Sequence, residues 1–334
     1  MRLSDIGEAG LLQRLHAFCP AEIIGDDAAW FCPPAGKELV ITTDVLVEGV
    51  HFSSSPLSPL PVLTMSATDV GWRSVAANYS DLAAMGAQPL GITVGLGLPP
   101  ALPVAWVDEL YAGMREILQT YGGVIWGGDV VRSPVVSVSI TAVGWLDNVR
   151  IQRSTAQVGD WLVATGYHGL SRAGLEMIQN GIDAPEIAPL VAAHRRPQPR
   201  LDVVTALREL GIRRAAGMDT SDGLADAVWQ ICRASQVGAK LGTDIPVHPL
   251  LEKCFPQQAE AWLWYGGEDF ELVLALAPDV AQQLMERLGP PAHYLGEIVA
   301  GDQVWWGEKP LEPTGGFQHF QSSSPARQQD LRNG

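Results

Sequence analysis

Ser74–Val107 reads SVAANYSDLAAMGAQPLGITVGLGLPPALPVAWV and carries a single formal charge, Asp81. Its apolar length invites a membrane reading. Gly86, Pro89, Gly91, Gly95, Gly97, Pro99, Pro100 and Pro103 break it too often for one continuous helix of about 20 residues. The punctuation predicts a helix that stops at Gly86, a buried strand over Leu90–Leu98, and a second helix over Pro103–Tyr121. Helix, strand and helix in succession are the start of an α/β domain.

Working outward, residues 1–17 predict a short amphipathic helix, and ELVITTD (38–44) a β-branched strand that ends on an acid. The helix before Gly86 is expected to begin near Leu60. Val124–Trp126 predicts a short strand running into Gly127-Gly128-Asp129, and Ser133–Trp145 alternates with period two, as a half-buried strand does. After Trp145 the pattern restarts. Strands are expected at 160–165, 270–276 and 294–299, with helices to Gln179, over 201–210, to about Ser235 and over 278–288. His194–Arg200 (HRRPQPR) reads as a proline-rich connector. The expected fold class is therefore α/β in two domains, 1–146 and 147–320, joined near 146–158 and followed by a polar tail over 321–334.

Composition narrows the partners. Among 334 residues, 22 Lys and Arg face 37 Asp and Glu, a formal charge of −15, and only four of the cations are lysines. Nucleic acids and anionic membranes are recognised through clustered cations, so neither is an expected partner. With 47% hydrophobic and 18% charged residues, the chain is not a disordered acidic one. Cys19, Cys32, Cys232 and Cys254 form no C-x-x-C pair, and no secretory signal is evident, so a cytoplasmic protein with reduced thiols is expected.

The acids sit in unusual company. Asp81 is alone in its apolar run, and Asp129 is the one charge between Ile117 and Val131. Isolated carboxylates in such surroundings are costly unless they are paired, hydrogen-bonded or metal-bound. Any single one has an ordinary alternative, with Asp129 a turn residue and Asp222 a helix cap. As a set, Asp27, Asp44, Asp81, Asp129, Asp219 and Asp222 repeat one theme of acids beside hydroxyls or glycines at element ends. That is the ligand chemistry of several Mg²⁺ ions holding phosphate. Other phosphate and catalytic signatures are absent. Gly36-Lys37 is followed by Glu38 and makes no P-loop, Pro100 spoils a G-x-G-x-x-G, there is no G-x-S-x-G, and no histidine pair has zinc spacing.

The blocks IGDDAA (24–29), TTDVLVEGVHF (42–52), NYSDLAAMGAQP (78–89), GGD (127–129), RS-x₄-GD (153–160), MDTSDGL (218–224), GGEDFEL (266–272) and GFQHF (316–320) together resemble the thiamine-monophosphate kinases, within the aminoimidazole ribonucleotide synthetase superfamily. Met218 before the DTSDG acids and Phe317 in place of a terminal tyrosine are small departures. The resemblance implies the aminoimidazole ribonucleotide synthetase-like fold, with the N-terminal sheet joining a second copy in a dimer barrel. It implies Mg²⁺ at Asp27, Thr42, Thr43, Asp44, Asp81, Asp129, Asp219 and Asp222. Of these, Asp44, Asp129 and Asp222 would be the catalytic set. It implies ATP at Gly128, Arg153 and Ser221, with Tyr111 a weaker candidate, and thiamine monophosphate at His51, Glu268 and Phe317. Rival readings are a different activity of that superfamily, a two-metal phosphohydrolase, or a non-catalytic divalent-ion binder. The tail DLRNG (330–334) lacks the terminal cysteine usual in the hydrogenase-maturation branch. Cys19 and Cys32 also lack the glycine-rich setting of a selenophosphate synthetase.

Overall fold

A computed structural model of the chain describes residues 1–21, 23, 28–182 and 184–313. Its first half runs α1 (Leu3–Leu15), β1 (Glu38–Val47), α2 (Ala67–Ala84), β2 (Ala87–Leu98), α3 (Val104–Tyr121), β3 (Val124–Arg132) and β4 (Ser137–Leu146). The alternation in β4 decides its placement. Val138, Ile140 and Ala142 are fully buried on one face, while the residues between them face outward and are only partly covered. The sheet order is β1-β4-β2-β3, with β4 antiparallel to both β1 and β2, and β3 parallel to β2.

The second half comprises β5 (Arg150–Ile151), β6 (Trp161–Ala164), α4 (Leu170–Gln179), α5 (Ala188–Arg195), α6 (Leu201–Glu209), β7 (Arg214–Asp219), α7 (Leu224–Ser235) and β8 (Gly238–Leu241). It continues through α8 (Pro249–Cys254), α9 (Ala259–Tyr265), β9 (Leu272–Leu276), α10 (Pro278–Leu288), β10 (His293–Val299), β11 (Val304–Trp306) and β12 (Lys309–Pro310). Its eight strands form one mixed sheet ordered β12-β11-β8-β10-β6-β9-β7-β5.

Helix α2 joins the halves. Sixteen of its 18 residues are buried, so it is enclosed on all sides rather than amphipathic. It packs on α3 and the first sheet and also touches α5, α6 and β7. One hydrophobic core accordingly contains Val75, Tyr79, Met114 and Ile140 together with Val203, Leu207, Leu274 and Leu284. A second core, built around Leu162, Val228 and Ile298, belongs to the second half. Among the described residues no helix is long and apolar enough to cross a membrane, which agrees with the reading of Ser74–Val107.

Several expected boundaries move. Helix α2 starts at Ala67, not Leu60, because Ser66 forms a reciprocal capping box with Asp69 that fixes the first turn there. The first two residues of the supposed connector, His194 and Arg195, finish α5. The strand ahead of Thr220, β7, is unexpected: buried on both faces, RAAGMD has no period to reveal it. Strand β8 and helices α8 and α9 are also unexpected, being too short to carry a pattern.

Candidate active site

The acids converge where the two halves meet. Alternation along β1 turns Thr42 and Asp44 toward α2 and leaves Thr43 exposed, its hydroxyl donating to the Ile140 carbonyl at 2.9 Å. Near the end of α2 stand Ser80 and Asp81, and β7 ends on Asp219. The Thr42 hydroxyl donates to Asp81 Oδ2. Asp219 accepts from Ser80 Oγ at 2.8 Å and Ser221 Oγ at 3.2 Å.

The charges in this cluster oppose one another. Burial, and then the neighbouring Asp81, pushes the Asp44 carboxyl up to about 6. Burial with Asp81, and more weakly Asp44, pushes Asp219 up to about 7 against its two hydroxyl donors. Asp81 is also raised by burial, while Thr42 and the Arg153 charge pull the other way. Carboxylates this close and this desolvated, with Asp81 raising both of its neighbours, are short of positive charge. Hard oxygen donors of this type fit Mg²⁺, which takes one or two carboxylates per ion and completes its shell with water and phosphate. Among the described residues no three His, Cys, Asp or Glu side chains close into a metal cage.

Other expected site residues surround this cluster at varying depth. Ser221 and Asp222 lie in the loop after β7, and Gly223, not Asp222, takes the N-cap position of α7. Arg153, in a short 3-10 turn, donates to Gln230 Oε1 at 2.6 Å on α7. Gly128 and Asp129 are not in a turn, because β3 runs straight through them to Arg132. A Cβ on Gly128 would stand 1.8 Å from the Val94 carbonyl oxygen, so only glycine allows this strand so close. Asp44, Ile140, Val94 and Gly128 form one row across the sheet. Three strand spacings, about 14 Å, thus separate the Asp44 edge from the Asp129 edge. The exposed Asp129 does not join Asp44, Asp81 and Asp219. Tyr111 is enclosed in the core, its ring 5.2 Å from that of Phe18, and burial raises its hydroxyl well above the usual phenol range. Asp27 and Phe317 lie outside the described residues.

Two loops carry the remaining candidates. After β1 the chain turns so that the Val47 N–H donates to His51 Nδ1 at 3.0 Å, which leaves the ring proton on Nε2. Buried Glu48 secures this turn by accepting the N–H groups of Ser54 (3.1 Å) and Ser55 (2.7 Å) and the Ser55 hydroxyl (2.7 Å). In the GGEDFEL loop, the Glu268 N–H donates to the Ser221 carbonyl at 2.7 Å, so this loop touches the one after β7. A Cβ on Gly267 would sit 2.5 Å from that same oxygen. Glu268 and Phe270 adopt left-handed φ values of 67° and 53°, a conformation that costs non-glycine residues energy and gathers at ligand sites. Between them, Asp269 accepts from the N–H groups of Gly169 (2.6 Å) and Ser171 (2.9 Å).

Sequence reasoning missed Ser80, Glu48 and Arg73. Only Arg73 had a readable signal, a lone cation in an apolar helix. It also gave no role to Asp160 of the RS-x₄-GD block, which is structural: its two oxygens meet Arg214 at 2.8 Å each.

Known proteins match this chain over most of its length. The description "AIR synthase related protein, N-terminal domain" matches residues 25–146, and its C-terminal counterpart matches 157–306. The thiamine-monophosphate kinase of Synechococcus elongatus is 48% identical, with 95% of this chain and 98% of that protein covered. Among solved structures, that of thiamine-monophosphate kinase from Stenotrophomonas maltophilia superposes with a TM-score of 0.77 at 31% identity, covering 90% of this chain and 96% of that one. AaThiL complexed with AMPPCP and TMP superposes with a TM-score of 0.74 at 29% identity, covering 96% and 99%. The chain belongs to the thiamine-monophosphate kinase family of AIR synthase related proteins.

Proposed function

We propose that this protein transfers the γ-phosphoryl group of ATP in line to thiamine monophosphate, giving thiamine diphosphate and ADP. The observation that carries this reading is the cluster of part-buried Asp44 and Asp81 with buried Asp219, set beside a second loop that holds Glu268. A phosphate oxygen of thiamine monophosphate forms the new O–P bond as the bond from the γ-phosphorus to the β,γ-bridging oxygen breaks. The nucleophile is already ionised near pH 7, so no general base is required, and the candidate residues include no dedicated one.

Mg²⁺ bound with the nucleotide supplies charge neutralisation and alignment of two polyanions. We assign its ligands to Asp27, Thr42, Thr43, Asp44, Asp81, Asp129, Asp219 and Asp222, with Asp44, Asp129 and Asp222 as the catalytic set. The 14 Å between the sheet edges supports several ions rather than one. Gly128, Arg153 and Ser221 would hold ATP, and His51, Glu268 and Phe317 thiamine monophosphate. Tyr111, enclosed in the core, stays the weaker candidate for ATP.

On this reading, residues 1–146 bind ATP and Mg²⁺ and dimerise, and 147–320 form the second domain. The dimer would bury the outer face of the first sheet, where Leu39, Ile41 and Val45 are 46%, 71% and 50% exposed. Light scattering should give twice the chain mass, and Ile41→Asp should give a monomer. Four free cysteines fit the reducing cytoplasm.

The deciding assay follows ADP with and without thiamine monophosphate and identifies the product. ADP that appears only with the acceptor, matched by thiamine diphosphate, supports the proposal. Phosphate release without the acceptor would indicate a hydrolase instead.

A further inference from the structure

Arg73 sits on α2 with only 1% of its side chain exposed, among alanine, serine and valine neighbours. A guanidinium cannot lose its charge to suit such a place, so its partners must hold it there. It has three. One Nη1 proton goes to the His194 carbonyl at the end of α5. The Phe270 ring centroid lies 5.7 Å from Cζ. Nη2 stands 2.6 Å from Glu268 Oε2, while 38% of the Glu268 side chain faces solvent. That last contact is an ion pair without hydrogen-bond alignment, which holds the carboxylate by charge and leaves Oε1 without a contact to Arg73.

Both residues flanking Asp269 are strained, and Arg73 touches both: Glu268 by charge and Phe270 by its ring. We propose that Arg73 is a positioning residue that holds the Glu268 carboxylate, pointed outward, to accept N–H donors of the acceptor substrate. Arg73 itself touches no substrate. An ionised carboxylate accepts only, so the pair selects a donor-bearing ring such as an aminopyrimidine and rejects ring edges that present acceptors alone. This inference rests on the proposed kinase reading and deepens its acceptor side.

Steady-state kinetics with ATP and thiamine monophosphate test it. An unmodified protein that makes no thiamine diphosphate would defeat the kinase reading itself. With an active parent, Arg73→Gln is expected to raise KM for thiamine monophosphate at least tenfold, with kcat and KM for ATP changed less than about twofold. An unchanged KM for thiamine monophosphate in folded Arg73→Gln would overturn the proposal. If Arg73→Gln is insoluble, Arg73→Lys carries the test in two backgrounds. A rise in KM of twofold or more in the parent that is absent in Glu268→Gln supports the pairing; equal effects in both backgrounds overturn it.

Discussion

Ser80 Oγ donates to Asp219 Oδ2 at 2.8 Å, so a hydroxyl from the first half steadies a fully buried carboxylate of the second. Removing that donor leaves an acceptor partly unmet in a place water does not reach. Ser80→Ala is expected to cost about 1–3 kcal/mol of stability, measured by urea unfolding. The same change should raise the Mg²⁺ concentration for half-maximal rate about tenfold, because groups that orient metal ligands tune affinity. An unaltered Mg²⁺ requirement would separate Asp219 from the metal.

Asp44→Asn and Asp129→Asn should each lower kcat by about 10²-fold or more, the scale of lost transition-state charge stabilisation. Their stability effects should differ. Asp129 is exposed, so its variant should unfold like the parent. Asp44→Asn removes one of three repelling acids and should stabilise the metal-free protein. Near-normal turnover at saturating Mg²⁺ in either variant would count against the site.

Removal of metal should make stability pH-dependent in a defined direction. Asp44 and Asp219 titrate near 6 and 7 in the folded chain, against 3.8 as the ordinary value. The folded state then holds more protons than the unfolded state between roughly pH 4 and 7, so stability falls as pH rises through that window and levels off above it. In EDTA the thermal midpoint should be higher at pH 5 than at pH 8, by an amount that Mg²⁺ and ATP abolish. A midpoint that rises with pH in EDTA would contradict the carboxylate cluster.

How much of this was readable in the chain depends on the kind of signal. Lone acids in apolar runs, Asp81 above all, pointed to the cluster because desolvating a charge leaves a mark in composition. Long patterned strands such as β4 were equally plain. Strand β7 carries Asp219 to the site, yet burial on both faces erased its periodicity, and GGD looked like a turn because two glycines hide an extended strand. Arg73 and Glu48 were passed over for another reason: their partners, Glu268 and Ser54–Ser55, are fixed only by tertiary contact.

Glu48 offers a check on such a contact. Its carboxylate accepts three bonds that fold the segment following His51. Glu48→Gln keeps the shape but puts an amide where one oxygen accepted, and should cost about 1–3 kcal/mol. It should also raise KM for thiamine monophosphate several-fold while KM for ATP stays put. Equal rises in both would mean that the turn serves the whole cleft.

The enclosure of α2 has a consequence for the chain as a physical object. Val75 and Tyr79 share one core with Leu207 and Leu274, so cutting near residue 150 would strip apolar surface from both pieces at once. Two segments that match separate family models should therefore melt as one cooperative unit. The acid pocket draws Asp44 and Asp81 from one half and Asp219 from the other, so it is assembled only when both are folded.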